Sequence, residues 1–489
     1  MPESVFFLWQ AACVSQLAML SSFSKCFLLN QSSISKCFLP DQSSFVTAAF
    51  MIYFTYSIPY SSHGVHISMM IIENRLILEL PPVPGNPRNS EGDFLRLKDG
   101  RLLFAYSRYR GDSVSDDAPC DIAGLISDDD GEHFTALLEP LIKASDHGVR
   151  NIMSVSMVRL QNGEAVIFYL CKYEKGTDIF LRRIREHEVS GTAFSSFSGT
   201  VSCEPASGAA FRSLSGSISP DSASAAAPCV STPGTASSQK ITLSEPELVY
   251  EGRDRAYLVM NNSRVLVKRD GSLILPVAVH QLITEADGHT HGKYQGEVIF
   301  IEGDRDARVF RLLSGPYALS PIGYSRTGLQ EPCITELPDG RLQALYRTDL
   351  MCQYESFSKD GGKSFCPPLP SRFTSPDSPI EIAENPYSGC TGNVFRFLAV
   401  WNPVPNYNGR IRPGIRWITA GRTPLAAAVS SDGLAYGEPL VIEDDLERGF
   451  CYSAVFFTGP DTFLLAYCAG NAADGNCLAR LRIRKIRMQ

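Results

Sequence analysis

Residues 98–106 read KDGRLLFAY, and the same arrangement, an Asp-Gly or Asn-Gly turn followed by an apolar run, returns as QNGEAVIFY at 161–169, RDGSLILPV at 269–277 and PDGRLQALY at 338–346. Looser copies are TGNVFRFLAVW at 391–401 and GPDTFLLAY at 459–467. The turn residues are those that tolerate positive φ in a tight hairpin, and the runs after them carry the branched and aromatic side chains that suit a pleated surface. Helical periodicity is nearly absent. Six such units, about 60–70 residues apart once one long insertion is set aside, predict an all-β chain: a six-bladed β-propeller with generous loops.

A second element recurs between the hairpins. Ser127, Asp129, Gly131 and Phe134 in SDDDGEHF have the spacing of Ser358, Asp360, Gly362 and Phe365 in SKDGGKSF, and SSDGLAY at 430–436 is a copy one residue short. Ser and Asp at this spacing can bond the backbone of a tight turn, Gly takes a conformation a Cβ forbids, and the aromatic packs beneath. These carboxylates are read as structural.

Two segments stand apart. Residues 1–68 contain the tandem SSFSKCFLLNQ and SSISKCFLPDQ and have no pattern able to build a core, so they read as a low-complexity or mispredicted start, with Met69 and Met70 just before the first clear strand, IIENRLILEL. Residues 190–239 include 15 Ser and only three charged residues, and read as a flexible insertion within a propeller spanning 69–489.

Composition excludes several classes. With 45 Lys and Arg against 52 Asp and Glu, the net charge is −7, so no broad basic face is available and no nucleic-acid partner is expected. The longest apolar stretch, Val46 to Ile58, falls short of the roughly 20 residues a membrane helix needs, and no span is expected. The 14 cysteines form no CxxC pair or dense cluster and read as free thiols. The first residues carry Glu3 and no Lys or Arg before Lys25, unlike a secretory signal, which favours a cytoplasmic location.

The repeat S-x-D-x-G-x-x-F is the Asp-box of the sialidase (neuraminidase) superfamily, and from about residue 80 to 470 the chain resembles its bacterial exo-α-sialidase-like members. QEPCITELPDGRLQALYRT at 330–348 resembles the segment that begins with the catalytic Glu, here Glu331, and ends with a substrate-binding Arg, here Arg347. RTPLAAAVS resembles the segment of a further Arg, here Arg422, and RGFCYSAVFF that of the nucleophilic Tyr, here Tyr452. In NPRNSEGDFLRLKDGRLLFAYSRYR, Arg108 matches an Arg that lines the pocket, and DSVSDDAPCDI matches the loop of the general acid, with Asp117 preferred to Asp116 by its distance to Ile122. The family's Arg-Ile-Pro motif is the departure. Counting back from Asp99 puts Ser90 or Glu91 there, and the only nearby arginine is Arg88.

The resemblance implies an enzyme that removes terminal sialic acid, or a related acidic sugar, from a sialylated glycan without a cofactor or metal. Arginines suit that substrate because a planar guanidinium holds a carboxylate through two parallel bonds and keeps its proton; Arg347, Arg422 and Arg88 take that role. A neutral Tyr452 avoids repelling the substrate anion, but a phenol of ordinary pKa about 10 needs a base, which Glu331 supplies, while Asp117 serves as acid and base. The rivals are a propeller glycosidase acting on another sugar and a carbohydrate-binding propeller without turnover. His289 and His291 lack a third ligand and read as loop residues; Asn261, Asn262 and Arg264 read as reaching the axial pocket or as turn residues; Trp401 and Asn402 read as pocket floor or core.

Overall fold

The computed structural model of the chain describes residues 69–186, 241–319, 324–389, 395–406 and 416–489. The low-complexity segment 1–68, the Ser-rich insertion 190–239 and residues 391–394 of one hairpin motif lie outside the described residues. The described part is all-β, as expected: its only helices are a 3-10 turn, Ala144–His147, and one short α-helix, Arg416–Thr419. No helix among the described residues is long and apolar enough to cross a membrane.

The strands among the described residues form five sheets. Four of the hairpin motifs do the same job, joining two consecutive strands as an antiparallel pair. Gly100 (φ 90°) and Gly340 (φ 84°) take the left-handed conformation that the sequence pattern requires. Asn89–Arg96 is thereby joined to Leu102–Tyr109, Asn151–Arg159 to Ala165–Lys172, Gln330–Glu336 to Leu342–Arg347, and Cys451–Phe457 to Thr462–Cys468, each pair antiparallel. The largest sheet holds nine strands, but its two halves meet at a single parallel pair, Cys120 with Asn151. The ends of the described chain also meet: Ile71–Leu80 runs antiparallel to the last strand, Leu481–Met488.

The Asp-box turns bond as their spacing predicts. Ser127 Oγ accepts from Gly131 N–H at 2.9 Å and Asp129 from His133 N–H at 2.9 Å; Ser358 and Asp360 repeat this with Gly362 and Ser364 at 2.8 and 3.0 Å. In the short copy, Ser430 and Asp432 bond Gly433 and Ala435. Phe365 stacks on Phe300 at 4.3 Å, and the core lies between neighbouring sheets, as where Phe94, Phe104, Leu464 and Ile483 meet. The eight described cysteines are free, six of them buried. Trp401 is a core residue, edge-on to Phe373 at 5.1 Å, and Asn402 bonds Ser378 and the Pro424 carbonyl.

The first strands of the sheets converge. Asn89–Arg96 packs against both Asn151–Arg159 and Cys451–Phe457, and Glu381–Glu384 packs against both Cys451–Phe457 and Gln330–Glu336. Buried polar side chains tie them together. Asn262 donates to the Gly92 and Tyr452 carbonyls at 2.9 and 3.1 Å, and Arg264 pairs with Glu381. Asp93 accepts from Met157 N–H at 2.7 Å, and its burial pushes the carboxyl up to about 7.

Candidate active site

Four of these converging strands carry the same irregularity. Each breaks register with its partner at a bulge, between Ser90 and Gly92, Met153 and Ser156, Gln330 and Cys333, and Cys451 and Ala454. At each bulge a non-glycine residue holds a positive φ: Glu91 at 52°, Ser154 at 60°, Glu331 at 43° and Tyr452 at 57°. Such backbone is costly, by roughly 1–3 kcal/mol per residue, and bulges re-aim side chains. All four residues line one cavity of about 1000 Å³.

Within it the residues that the sequence singled out as nucleophile, base and anion binders come together. Tyr452 Oη donates to Glu331 Oε1 at 2.7 Å, and Arg347 Nη1 donates to Glu331 Oε2 at 2.7 Å. Arg347 Nε also bonds Asp377 at 2.6 Å, leaving Nη2 without a partner among the described residues. Arg422 lies 5.5 Å from the centre of the Tyr452 ring; it donates to the Asp377 carbonyl at 3.2 Å and to Cys451 Sγ at 3.1 Å. Burial, and then Glu331, raise the Tyr452 phenol well above its ordinary value. For Asp377, burial is outweighed by Arg347, which holds the carboxyl below the ordinary carboxylate range.

The two aspartates of the acid loop also line the cavity, each with a cation. Asp116 bonds Arg88 Nη1 at 2.5 Å, and Asp117, its side chain 74% exposed, bonds Lys172 Nζ at 2.6 Å. The Asp116 side chain is 56% exposed; the walls around it desolvate it in part, which opposes its charge, but Arg88 outweighs this and holds its carboxyl below the ordinary value.

Arg88 and Arg108 are not brought to the cavity wall. Arg88, 1% exposed, lies against the Tyr109 ring at 4.3 Å and donates to Ser90 Oγ and the Val114 carbonyl as well as to Asp116. Arg108 shares a strand face with Tyr106 by alternation, the face opposite Ser107 and Tyr109, because successive residues of a strand point to opposite sides. Where the Arg-Ile-Pro count falls, the cavity presents Glu91 instead.

Other lining residues were not singled out from the sequence: Ser154, Lys172, Tyr257, His280 and Gln330. For Ser154 a signal did exist. It stands eight residues before Asn162, as Glu91 does before Asp99 and Glu331 before Asp339, so a constant count back from the turn marks the bulge. Asn261 lines the cavity, while Asn262 and Arg264 are buried structural ties. His289 and His291 lie on a hairpin at the cavity edge, rings stacked 5.8 Å apart, with His291 beside Glu285. No group of three or more His, Cys, Asp or Glu able to hold a metal ion occurs among the described residues.

Several solved structures resemble this fold. They include a Dyadobacter fermentans protein of unknown function (12% identity, covering 86% of this chain and 99% of that one, TM-score 0.53) and a Trypanosoma rangeli sialidase (13%, 86% and 59%, TM-score 0.53). A variant of the NanB sialidase from Streptococcus pneumoniae is a third (10%, 85% and 70%, TM-score 0.52). This chain spans about three fifths of the trypanosomal protein's length. At such identities the likeness concerns the fold alone, which the chain shares with these sialidases. A family model described as BNR repeat-like domain matches residues 218–463, about half of the chain, and the chain belongs to that family. No curated protein matches it.

Proposed function

We propose that the chain is an exo-α-sialidase-like glycoside hydrolase that removes a terminal acidic sugar from a glycan, built as a six-bladed propeller over residues 69–489. The blade count treats the nine-stranded sheet as two blades meeting at one parallel pair. The single observation that carries the reading is the contact of Tyr452 Oη with Glu331 Oε1 at 2.7 Å while Arg347 bonds the other carboxylate oxygen.

In this reading Tyr452 Oη attacks the anomeric carbon as its proton passes to Glu331, and Asp117 protonates the leaving oxygen. Water then displaces the sugar from Tyr452, losing a proton to Asp117 while Glu331 returns its own, so configuration is retained. Arg347 and Arg422 hold the substrate carboxylate. Arg88 acts on the site through Asp116, and Arg108 supports the strand that flanks it. One observation favours the second reading, a glycosidase for another sugar: where the Arg-Ile-Pro count falls, the wall offers the carboxyl of Glu91 and not a guanidinium, the lining arginines being Arg150, Arg347 and Arg422.

Incubation with a fluorogenic α-sialoside tests this. Release of the fluorophore by the parent, abolished in Tyr452→Phe and in Arg347→Ala, supports the leading reading. Hydrolysis of a neutral glycoside instead supports the second, and carbohydrate binding without any turnover refutes both.

A further inference from the structure

Glu91, Asp116 and Asp117 are three carboxyl groups on the cavity wall with unequal partners. Asp116 and Asp117 have exposed side chains, 56% and 74%, and a cation within 2.6 Å. Glu91 is 8% exposed, and the nearest guanidinium atom, Arg88 Nη2, lies 3.6 Å away, beyond hydrogen-bond distance. That Nη2 is itself buried without a hydrogen-bond partner. The guanidinium is committed to Asp116, and Glu91 Oε2 is left with the hydroxyl of Ser154 at 3.1 Å. A buried carboxyl whose neighbouring guanidinium gives it no hydrogen bond recovers only part of its lost hydration as an anion, and burial then favours the neutral acid.

We propose that Glu91 is a specificity-determining residue: as a neutral acid it donates a hydrogen bond to the carboxylate of an acidic sugar held by Arg347 and Arg422, and as an anion it repels that carboxylate. The proposal rests on the acidic-sugar reading above. The bulge aims Glu91 into the same cavity as both arginines, and the anion of Glu331 is close enough to disfavour charge on Glu91. The other groups around it are Arg88 on its own segment, Asp116 on the following loop, Tyr109, Cys120, Tyr257 and Tyr452. Burial keeps the thiol and the phenols neutral well past neutral pH, so Glu91 is the member of this group that changes charge near neutrality. Burial, opposed in part by Arg88, pushes its carboxyl up to about 7. Affinity for an acidic sugar therefore falls as pH rises through that value.

The test is calorimetric titration of the full chain with N-acetylneuraminate and, separately, with glucuronate, at about pH 5.5 and about pH 8.5. The parent is expected to bind roughly tenfold or more weakly at the higher pH. Glu91→Gln, a neutral donor of the same shape, is expected to lose that slope and to bind more tightly than the parent at the higher pH. Should Glu91→Gln melt well below the parent, Ser154→Ala provides a second measurement: without the hydroxyl that favours the anion, the slope moves to higher pH. A parent without a slope, or a Glu91→Gln variant that keeps the parent's slope, overturns the proposal. Failure of the wider reading looks different: neither acid binds the parent at either pH.

Discussion

A phenol buried like that of Tyr452 keeps its proton well past neutral pH, so the proposed attack by its oxygen requires the carboxylate 2.7 Å away to take that proton. In the proposed mechanism Glu331 is the base; Arg347 bonds its second oxygen, and Asp377 shares the same guanidinium. Glu331→Gln keeps the shape and the bond to Tyr452 but removes the proton acceptor. A fall in kcat of about 10²–10⁴-fold is expected on an activated aryl glycoside, with KM changed far less. A Glu331→Gln variant that turns over at the parent rate would remove Glu331 from the chemistry. That Glu331, Arg347, Arg422 and Tyr452 belong together was legible only through the resemblance of their segments to those of the sialidase superfamily; composition and spacing alone single out none of them. Arg88 was misleading: an arginine three residues before a bulge in one dimension ends, in three, behind the wall, stacked on Tyr109.

At the scale of the strand and the turn, the sequence reads well where backbone conformation dictates residue type. The Asp-Gly and Asn-Gly hairpins and the Asp-boxes are where they were expected, since positive φ at a turn selects Gly, Asn or Asp. The bulges are the opposite case. Glu91, Ser154, Glu331 and Tyr452 hold positive φ against their own preference, so no residue type announces them and only the spacing to the turn does. The Asp-box glycines test the first half of this account. Gly362 has φ 96°, and a Cβ there would come 2.8 Å from Leu313 Cδ2. Gly362→Ala should lower unfolding free energy by about 1–3 kcal/mol in denaturant titration while the folded fraction keeps its activity. An unchanged midpoint would mean that the turn is not a determinant of stability.

For the whole molecule the governing feature is closure. The strand Ile71–Leu80 comes first among the described residues, yet it pairs along its length with Leu481–Met488, so this sheet is completed by the first and last described strands. Ile77, Leu78 and Leu80 pack beside the cluster of Phe94, Phe104 and Ile483, and without them the last strand becomes an edge with unpaired backbone groups beside exposed apolar side chains. The low-complexity segment before residue 69 offers no comparable apolar pattern. A chain starting at Met69 is therefore expected to unfold cooperatively at a melting temperature within a few degrees of the parent, whereas one starting at Pro81 loses the closing strand and should aggregate or melt far lower. Because Cys451–Phe457 belongs to that same sheet, the shorter chain should also lose the register that sets Tyr452 against Glu331, and with it any hydrolytic activity. Scanning calorimetry of the two truncations separates the contributions, and equal melting of both would mean that the sheet closes without its first strand.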